Sequence, residues 1–412
     1  MNQKSQFEAR DMGTGTRIAL VCVLVISVLP SLGEFYAVIW GALHGMTGKA
    51  LRDGLDFWAG GFLAWHGRVP EIFDSAAYNG FLQGLYGAKL PFHMWSYPPN
   101  YLLIATVFGG FSPFHAVLAF DAASLLLLVF LLRLGWQSWP LIAAVVLSPV
   151  SFENILEGQN AALMTALIGG GLLLAPMRPR LGGLLIGLAS IKPQLGVVLP
   201  LYLLRRAPIG FFYALMVAMG LFVVSGLLFG PLAWLSFFNV TGPAMSQVLL
   251  TGKPPEFAAG LISVFAAVRF LGVHGALVVQ AVVSVAAMGY AVTRRDAASV
   301  LVLAALASPY LHDYDLLGVA LAVALIAQNG LRHGFAPGEP VLLFVAWFGP
   351  GALPWLPQFA HFTPVILLLL LASAARYGRL STCDSSVVQP GLPASSVGRS
   401  PIPDPPKSTA PG

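Results

Sequence analysis

Apolar residues run along this chain in long unbroken blocks, not in the every-second-residue alternation of a strand with one wet face. Blocks long enough to cross a bilayer recur from Arg17 to about Arg376. They predict a span near 17–40, one or two within 97–132, and others near 138–153, 160–176, 181–204 and 209–231. After a polar interruption they resume near 274–293, 297–311, 313–331, 338–356 and 361–375. Continuous runs favour helices over a membrane barrel, whose strands alternate with a period of two. The expected fold class is an all-α polytopic membrane protein with about twelve transmembrane helices.

The polar interruptions organise the rest. A large first loop occupies 41–96 and a second occupies 232–273. Phe57, Trp58, Phe62 and Trp65 in the first loop predict short helices lying at the membrane surface. Lys4, Arg10 and Arg17 precede the first apolar run, which reads as an uncleaved helix with its N-terminus in the cytoplasm. Arg205/Arg206, Arg294/Arg295, Arg332 and Arg376/Arg379 mark further cytoplasmic ends. Both loops, and "SPYLHDYD" at 308–315, then share the outer face.

Charge leaves two paths for the segment 97–204. If 97–132 crosses twice, Arg133, Arg178 and Arg180 fall outside, against the rule. If it crosses once, 181–204 is a hairpin of two half-helices meeting at Lys192-Pro193. Beyond Ser381 the chain is rich in Pro, Ser and Gly. A disordered cytoplasmic tail, 381–412, is expected behind a single membrane domain, 1–380.

Composition narrows the class further. Only 9% of residues are charged, against about 25% in soluble globular proteins, which excludes that class. The net charge of +5 follows from basic cytoplasmic ends and calls for no nucleic-acid partner. Cys22 and Cys383 make neither a disulfide framework nor a metal site.

Four places carry candidate chemistry. Asp53 and Asp56 are spaced i, i+3 and share a face if their segment is helical. Glu153, Glu157, Gln159 and Asn160 cluster between two apolar runs, as a solvated turn with Asn160 near a helix start or as the polar rim of a cavity. Lys192 sits in the apolar run "LLIGLASIKPQLGVVLPLYLLRR" beside Pro193 and Gln194. A lysine at the bilayer centre costs about 2.5–3.5 kcal/mol on insertion scales, so it calls for an anion or a buried partner such as Asp121. Finally, Tyr310, His312, Asp313, Tyr314 and Asp315 crowd the turn between two spans, as an aromatic belt or as a site wall.

Read in order, "DFWAGGFLAWHGRVPEIFD", "SYPPNYLL", "GQNAAL", "GLASIKPQLGVVLP", "SVFAAVRFLG" and "SPYLHDYDLLG" resemble glycosyltransferase family 87. That family includes polyprenol-phosphate-mannose-dependent mannosyltransferases, and the resemblance extends over about 50–375. It implies a GT-C-like fold whose large first outer loop carries a catalytic aspartate. Asp56, followed by Phe57-Trp58, matches that aspartate, and Asp53 ranks second. The family's Tyr-Pro-Pro falls on Tyr97, Pro98 and Pro99, and its Lys-Pro on Lys192 and Pro193. The outer motif near the C-terminus departs from the mannosyltransferase order of serine-proline, then tryptophan, aspartate and histidine. Here His312 stands earlier and Tyr314 falls near the histidine position, which leaves His312 and Asp313 as secondary candidates.

The resemblance implies inverting transfer of mannose, or another hexose or pentose, from a polyprenyl-phosphate donor to a lipid or glycan acceptor. Asp56 is then the general base, and Lys192, Gln194 and Tyr97 meet the lipid phosphate. Gln159, Asn160 and Tyr310 are expected to line the cavity, on the extracytoplasmic face of the cytoplasmic membrane. No cofactor is required outright, and a divalent metal between Asp53 and Asp56 stays open. A secondary transporter or lipid flippase would also account for Lys192. It would leave the acidic, aromatic first loop unexplained.

Overall fold

The computed structural model describes residues 51–135, 138–253 and 260–387, with a few isolated positions before them. The predicted first span at 17–40 falls almost wholly outside the described residues. So do Pro254, Pro255 and Glu256 of the second loop, and the chain beyond Val387.

Among the described residues the fold is helical, with one antiparallel bridge between Leu261 and His312. Helix α1 (Gly54–Trp65) and α2 (Ser75–Tyr86) form the first loop. Then follow α3 (Leu102–Phe108), α4 (Pro113–Gly135), α5 (Trp139–Val146), α6 (Pro149–Glu157) and α7 (Ala161–Leu174). Next come α8 (Pro179–Leu188), α9 (Leu199–Arg206), α10 (Pro208–Phe229) and α11 (Gly242–Thr251). The chain ends with α12 (Gly272–Thr293), α13 (Ala297–Ala307), α14 (Leu317–His333), α15 (Glu339–Ala352) and α16 (Thr363–Val387).

Among the described residues five stretches are long and apolar enough to cross a membrane: α4, α10, and the helices ending at Thr293, His333 and within α16. A sixth candidate is the pair α5–α6, bent by 44° where Ser148 precedes Pro149. Five shorter apolar helices accompany them. The last helix runs to Val387, past the boundary expected at Ser381.

Helix α7 is the centre of the bundle and is buried on nearly every face, as expected for a helix apolar all round. Its run Gly169-Gly170-Gly171 explains how three neighbours approach so closely. A Cβ there would lie 2.4 Å from Leu321 of α14, 2.9 Å from Leu131 of α4 and 2.7 Å from Ile186 of α8, respectively. Small residues at helix crossings serve this purpose where no hydrophobic force drives helices together.

Contacts at the helix ends decide between the two paths for 97–204. Gly183 of α8 touches the backbone of Gly210 in α10, Gly187 packs on Ala214 and Val217, and Gly210 reaches back to Pro179. Helices α8 and α10 therefore run parallel, so Pro179 and Arg206 lie at one end of the bundle. The segment is a hairpin: α8 goes in, the chain breaks at Lys192, and α9 returns. Arg206 donates to the carbonyls of Thr293 and Arg294, both at 2.8 Å. Arg376 pairs with Glu339 at 3.0 Å and reaches the Gly334 carbonyl, so the ends of α12, α14 and α16 join the same basic end. Gly135 meets Leu173 and Leu174, and Gly182 meets Ala175, which brings Arg133, Arg178 and Arg180 there too.

The first loop corrects one expectation. Phe57 and Trp58 are in the core and not on a surface-lying helix; Trp65 at the far end of α1 is exposed. The cause is Gly60 and Gly61, which bring α1 against Trp95 and the Ala105 carbonyl, where a Cβ would lie 2.3 and 2.2 Å away. Phe57 then stacks into a cluster with Tyr101, Phe108 and Phe120.

Candidate active site

The end of the bundle opposite the arginines holds a cavity of about 1120 Å³. Asp53, Asp56, His93, Tyr97, Gln159, Lys192, Gln194, Tyr310, His312 and Asp313 all line it. All but His93 are candidates from the sequence, and the fold brings them around one space from segments far apart in the chain; Asn160, also expected to line the cavity, is not among its lining residues.

Asp56 lies in the first turn of α1 and is only 8% exposed. Its Oδ2 is 3.1 Å from Nδ1 of His93, and Tyr78 of α2 donates to its backbone carbonyl at 2.6 Å. Its Oδ1 is buried without a hydrogen-bond partner among the described residues. Burial pushes the carboxyl up to about 6, with Asp53 adding to the rise and His93 and Tyr78 opposing it. At neutral pH it is mostly ionised and still a competent base. For His93, burial disfavours the imidazolium, but the carboxylates of Asp56 and Asp53 outweigh it and leave the pKa raised.

Asp53 holds a different partner from Asp56. Its Oδ2 accepts from Nε2 of Gln159 at 2.8 Å, and Gln159 Oε1 accepts from the Tyr97 hydroxyl at 3.0 Å. Among the described residues no group of three or more His, Cys, Asp or Glu side chains converges as a metal site would. The two aspartates hold different partners, which does not fit the metal considered from their spacing.

Lys192 is 4% exposed and sits at the broken apex between α8 and α9. Its Nζ donates to Asp315 Oδ1 at 2.5 Å and to Asn160 Oδ1 at 3.3 Å, and stands 5.2 Å from the Tyr314 ring. Its carboxylate partner is Asp315 and not Asp121, which lies buried in α4 with Oδ1 unpartnered. Asp315 is itself fixed, since its Oδ2 accepts from the His312 backbone N–H at 3.3 Å. His312 stacks on Tyr314 with rings 2° from parallel.

The cluster at 153–160 forms the polar rim, not a solvated turn. Arg52, in the left-handed region at φ 44°, pairs with Glu157. Asn160 occupies the N-cap position of α7 but does not cap it; Asn154 Oδ1 does, accepting from Ala161 and Ala162. That frees the Asn160 side chain for Lys192. The second loop closes the other side: Phe237, Met245 and Leu249 face the cavity. Gly260 and Ile262 join the His312 strand through bonds to Asp313 and Leu311. Phe237 opens a π-helical turn, Phe237–Thr241, a distortion frequent at functional sites.

The sequence model of glycosyltransferase family 87 matches residues 95–311, over half the chain. The chain belongs to glycosyltransferase family 87. Neither the curated proteins nor the solved structures contain a match to it. Within this glycosyltransferase, the matched stretch holds Tyr97, Gln159, Asn160, Lys192, Gln194 and Tyr310. Asp56, His93 and the 312–315 turn lie outside it, and the fold brings them to the same cavity. His93 and Asp315 are the partners that sequence reasoning did not single out. His93 stands 37 positions from Asp56, with no spacing to link them. For Asp315 a signal existed, three residues after His312 at the start of a helix.

Proposed function

We propose that this family 87 member moves a sugar from a polyprenyl-phosphate donor to a hydroxyl of a lipid or glycan acceptor, with inversion at the anomeric carbon. One observation supports this most: an unpartnered carboxylate oxygen on Asp56 and a buried cation, Lys192, line the same cavity. The acceptor oxygen attacks the anomeric carbon from the face opposite the phosphate. The bond to the phosphate oxygen breaks, its electron pair leaves with the phosphate, and the acceptor proton passes to Asp56.

A positioned base is worth about 10²–10⁴-fold, so orientation of the two substrates supplies much of the rest. The phosphate needs little protonation as it departs, but its charge must be met. Lys192 does this as part of a fixed network with Asn160 and Asp315, helped by Gln194 and Tyr97, which costs no reorganisation during reaction. The cavity exceeds the range of about 300–1000 Å³ usual for one small ligand, which suits two substrates. Its apolar side, with Phe237, Met245 and Leu249, suits the start of a lipid tail. His312 and Asp313 remain secondary candidates on the same wall.

On this reading the arginine end stays in the cytoplasm and the cavity faces the extracytoplasmic side of the cytoplasmic membrane. The five long helices, the bent pair and the shorter ones, with 17–40 added, then belong to a GT-C-like domain in which the α8–α9 hairpin enters the bilayer without crossing it, so the crossings number fewer than twelve.

The test uses purified protein in nanodiscs with radiolabelled polyprenyl-phosphate sugars and a membrane lipid extract. Transfer by wild type that is lost in a folded Asp56→Asn variant is the expected result. Full activity in that variant would remove Asp56 as the base. Uptake of solute into vesicles with no lipid donor would favour transport instead.

A further inference from the structure

The contacts around Asp56 distinguish its two oxygens. Oδ2 is held by His93 at 3.1 Å, while Oδ1 is buried with no partner among the described residues. Holding one oxygen requires that His93 itself be fixed, and the fold does this with adjacent residues of α2. Tyr78 donates to the Asp56 carbonyl at 2.6 Å, and Asn79 Oδ1 accepts the His93 backbone N–H at 3.0 Å. One turn of one helix therefore grips both partners. Asp74 caps that helix through Ala76 and Ala77, and Trp95, two residues after His93, fills the space over Gly60.

We propose that His93 is a positioning residue: by holding Oδ2 it fixes the orientation of the carboxylate that receives the acceptor's proton. This rests on the glycosyl-transfer reading above. A carboxylate at this distance selects the imidazole tautomer with its proton on Nδ1. Without that bond the carboxylate can turn about its side-chain torsion and is no longer aimed at one acceptor position. The titratable groups facing Asp56 are Asp53 on its own segment, Tyr78 on α2, and His93 and Tyr97 on the segment entering α3. Of these, His93 is the one that opposes the effect of burial most strongly.

The experiment measures kcat and KM for donor and acceptor across pH 5–8.5 in wild type, His93→Ala, His93→Gln and Asp56→Asn. Misplacing a reacting group can cost about 10²-fold, so His93→Ala is expected to lose on the order of 10- to 100-fold in kcat. KM for both substrates is expected to stay within about twofold, as for a group acting on the transition state only. The acid limb moves to higher pH in His93→Ala, because Tyr78 alone then opposes the burial of the Asp56 carboxylate. His93→Gln, whose amide can still donate, recovers part of kcat, and it carries the test if His93→Ala does not fold. An unchanged kcat, a loss confined to KM, or an unmoved acid limb overturns the proposal. Transfer that needs Asp56 but not His93 overturns this inference alone. No transfer by wild type from any donor overturns the glycosyl-transfer reading and this inference with it.

Discussion

Lys192 Nζ and Asp315 Oδ1 lie 2.5 Å apart, although 123 positions separate the two residues. The pair ties the apex of the α8–α9 hairpin to the turn that starts α14. Both side chains are almost wholly buried, so each depends on the other for its charge to be tolerated.

Removing one partner of a buried pair costs about 3–5 kcal/mol, whereas replacing both by apolar groups is often neutral. Lys192→Met is therefore expected to lower the thermal midpoint and abolish transfer. The double variant Lys192→Met/Asp315→Leu is expected to recover most of the midpoint and none of the transfer. Restored transfer in the double variant would reduce Lys192 to a strut.

The pH profile follows from Asp56, whose carboxyl is pushed up to about 6. A base must be ionised to act, so kcat/KM is expected to hold above that value. Below it, the fall is about tenfold per pH unit. A profile flat down to pH 5 would count against Asp56.

Stability is expected to move the opposite way from activity at the same residue. The folded value near 6 exceeds the ordinary 3.8, so the native state binds this proton more tightly than the unfolded chain does. The cost is absent below about pH 4 and fully developed above pH 6, where it amounts to roughly 3 kcal/mol. Asp56→Asn is expected to melt higher than wild type at pH 7.5, with the advantage vanishing at pH 4. Melting curves at the two pH values check this.

The hairpin makes a labelling prediction. With the native cysteines replaced, single cysteines at Arg180 and Ala207 are expected to react from one side of a sealed vesicle. A cysteine at Ser96, on the cavity wall, is expected to react from the other. Opposite labelling of Arg180 and Ala207 would mean a simple crossing.

Gly158 sits at φ 65°, where a Cβ would also lie 2.5 Å from the Gly54 Cα. Gly158→Ala combines backbone strain with a clash, so a loss of about 1–3 kcal/mol is expected. Because Gly54 opens α1 and Gly158 ends α6, transfer is expected to fall with it. Parallel assays of melting and transfer check both parts.

The long apolar blocks made the helical class legible, and the arginines marked one end of the bundle. Charge counting alone could not choose between a crossing and a hairpin at 181–204, because both return the chain to Arg205. The choice lies in Gly183, Gly187 and Gly210, whose contacts reveal direction only once α8 and α10 are side by side. In the site, Asp56 and Lys192 were conspicuous as charges near or within apolar runs. Their partners were not. His93 looked like any loop histidine, and Asp315 like one of two acids in a wet turn, because pairings across long sequence separations leave no local pattern. Asn160 has two readings in the sequence, helix start or cavity rim; Asn154 takes the capping role and leaves the Asn160 side chain to Lys192.

The hairpin also sets a depth. Helix α8 has ten residues, about 15 Å at 1.5 Å each, and the 3₁₀ turn before Lys192 adds about 6 Å. Lys192 thus stands roughly 20 Å from the arginine end of a hydrocarbon layer about 30 Å thick. On the proposed reading, a phosphate that meets it would be drawn about 10 Å beneath the far surface, for a hairpin running along the bilayer normal. Bilayer thickness therefore becomes a variable of the enzyme: short-chain lipids bring that surface closer to the lysine, and long-chain lipids bury the lysine deeper.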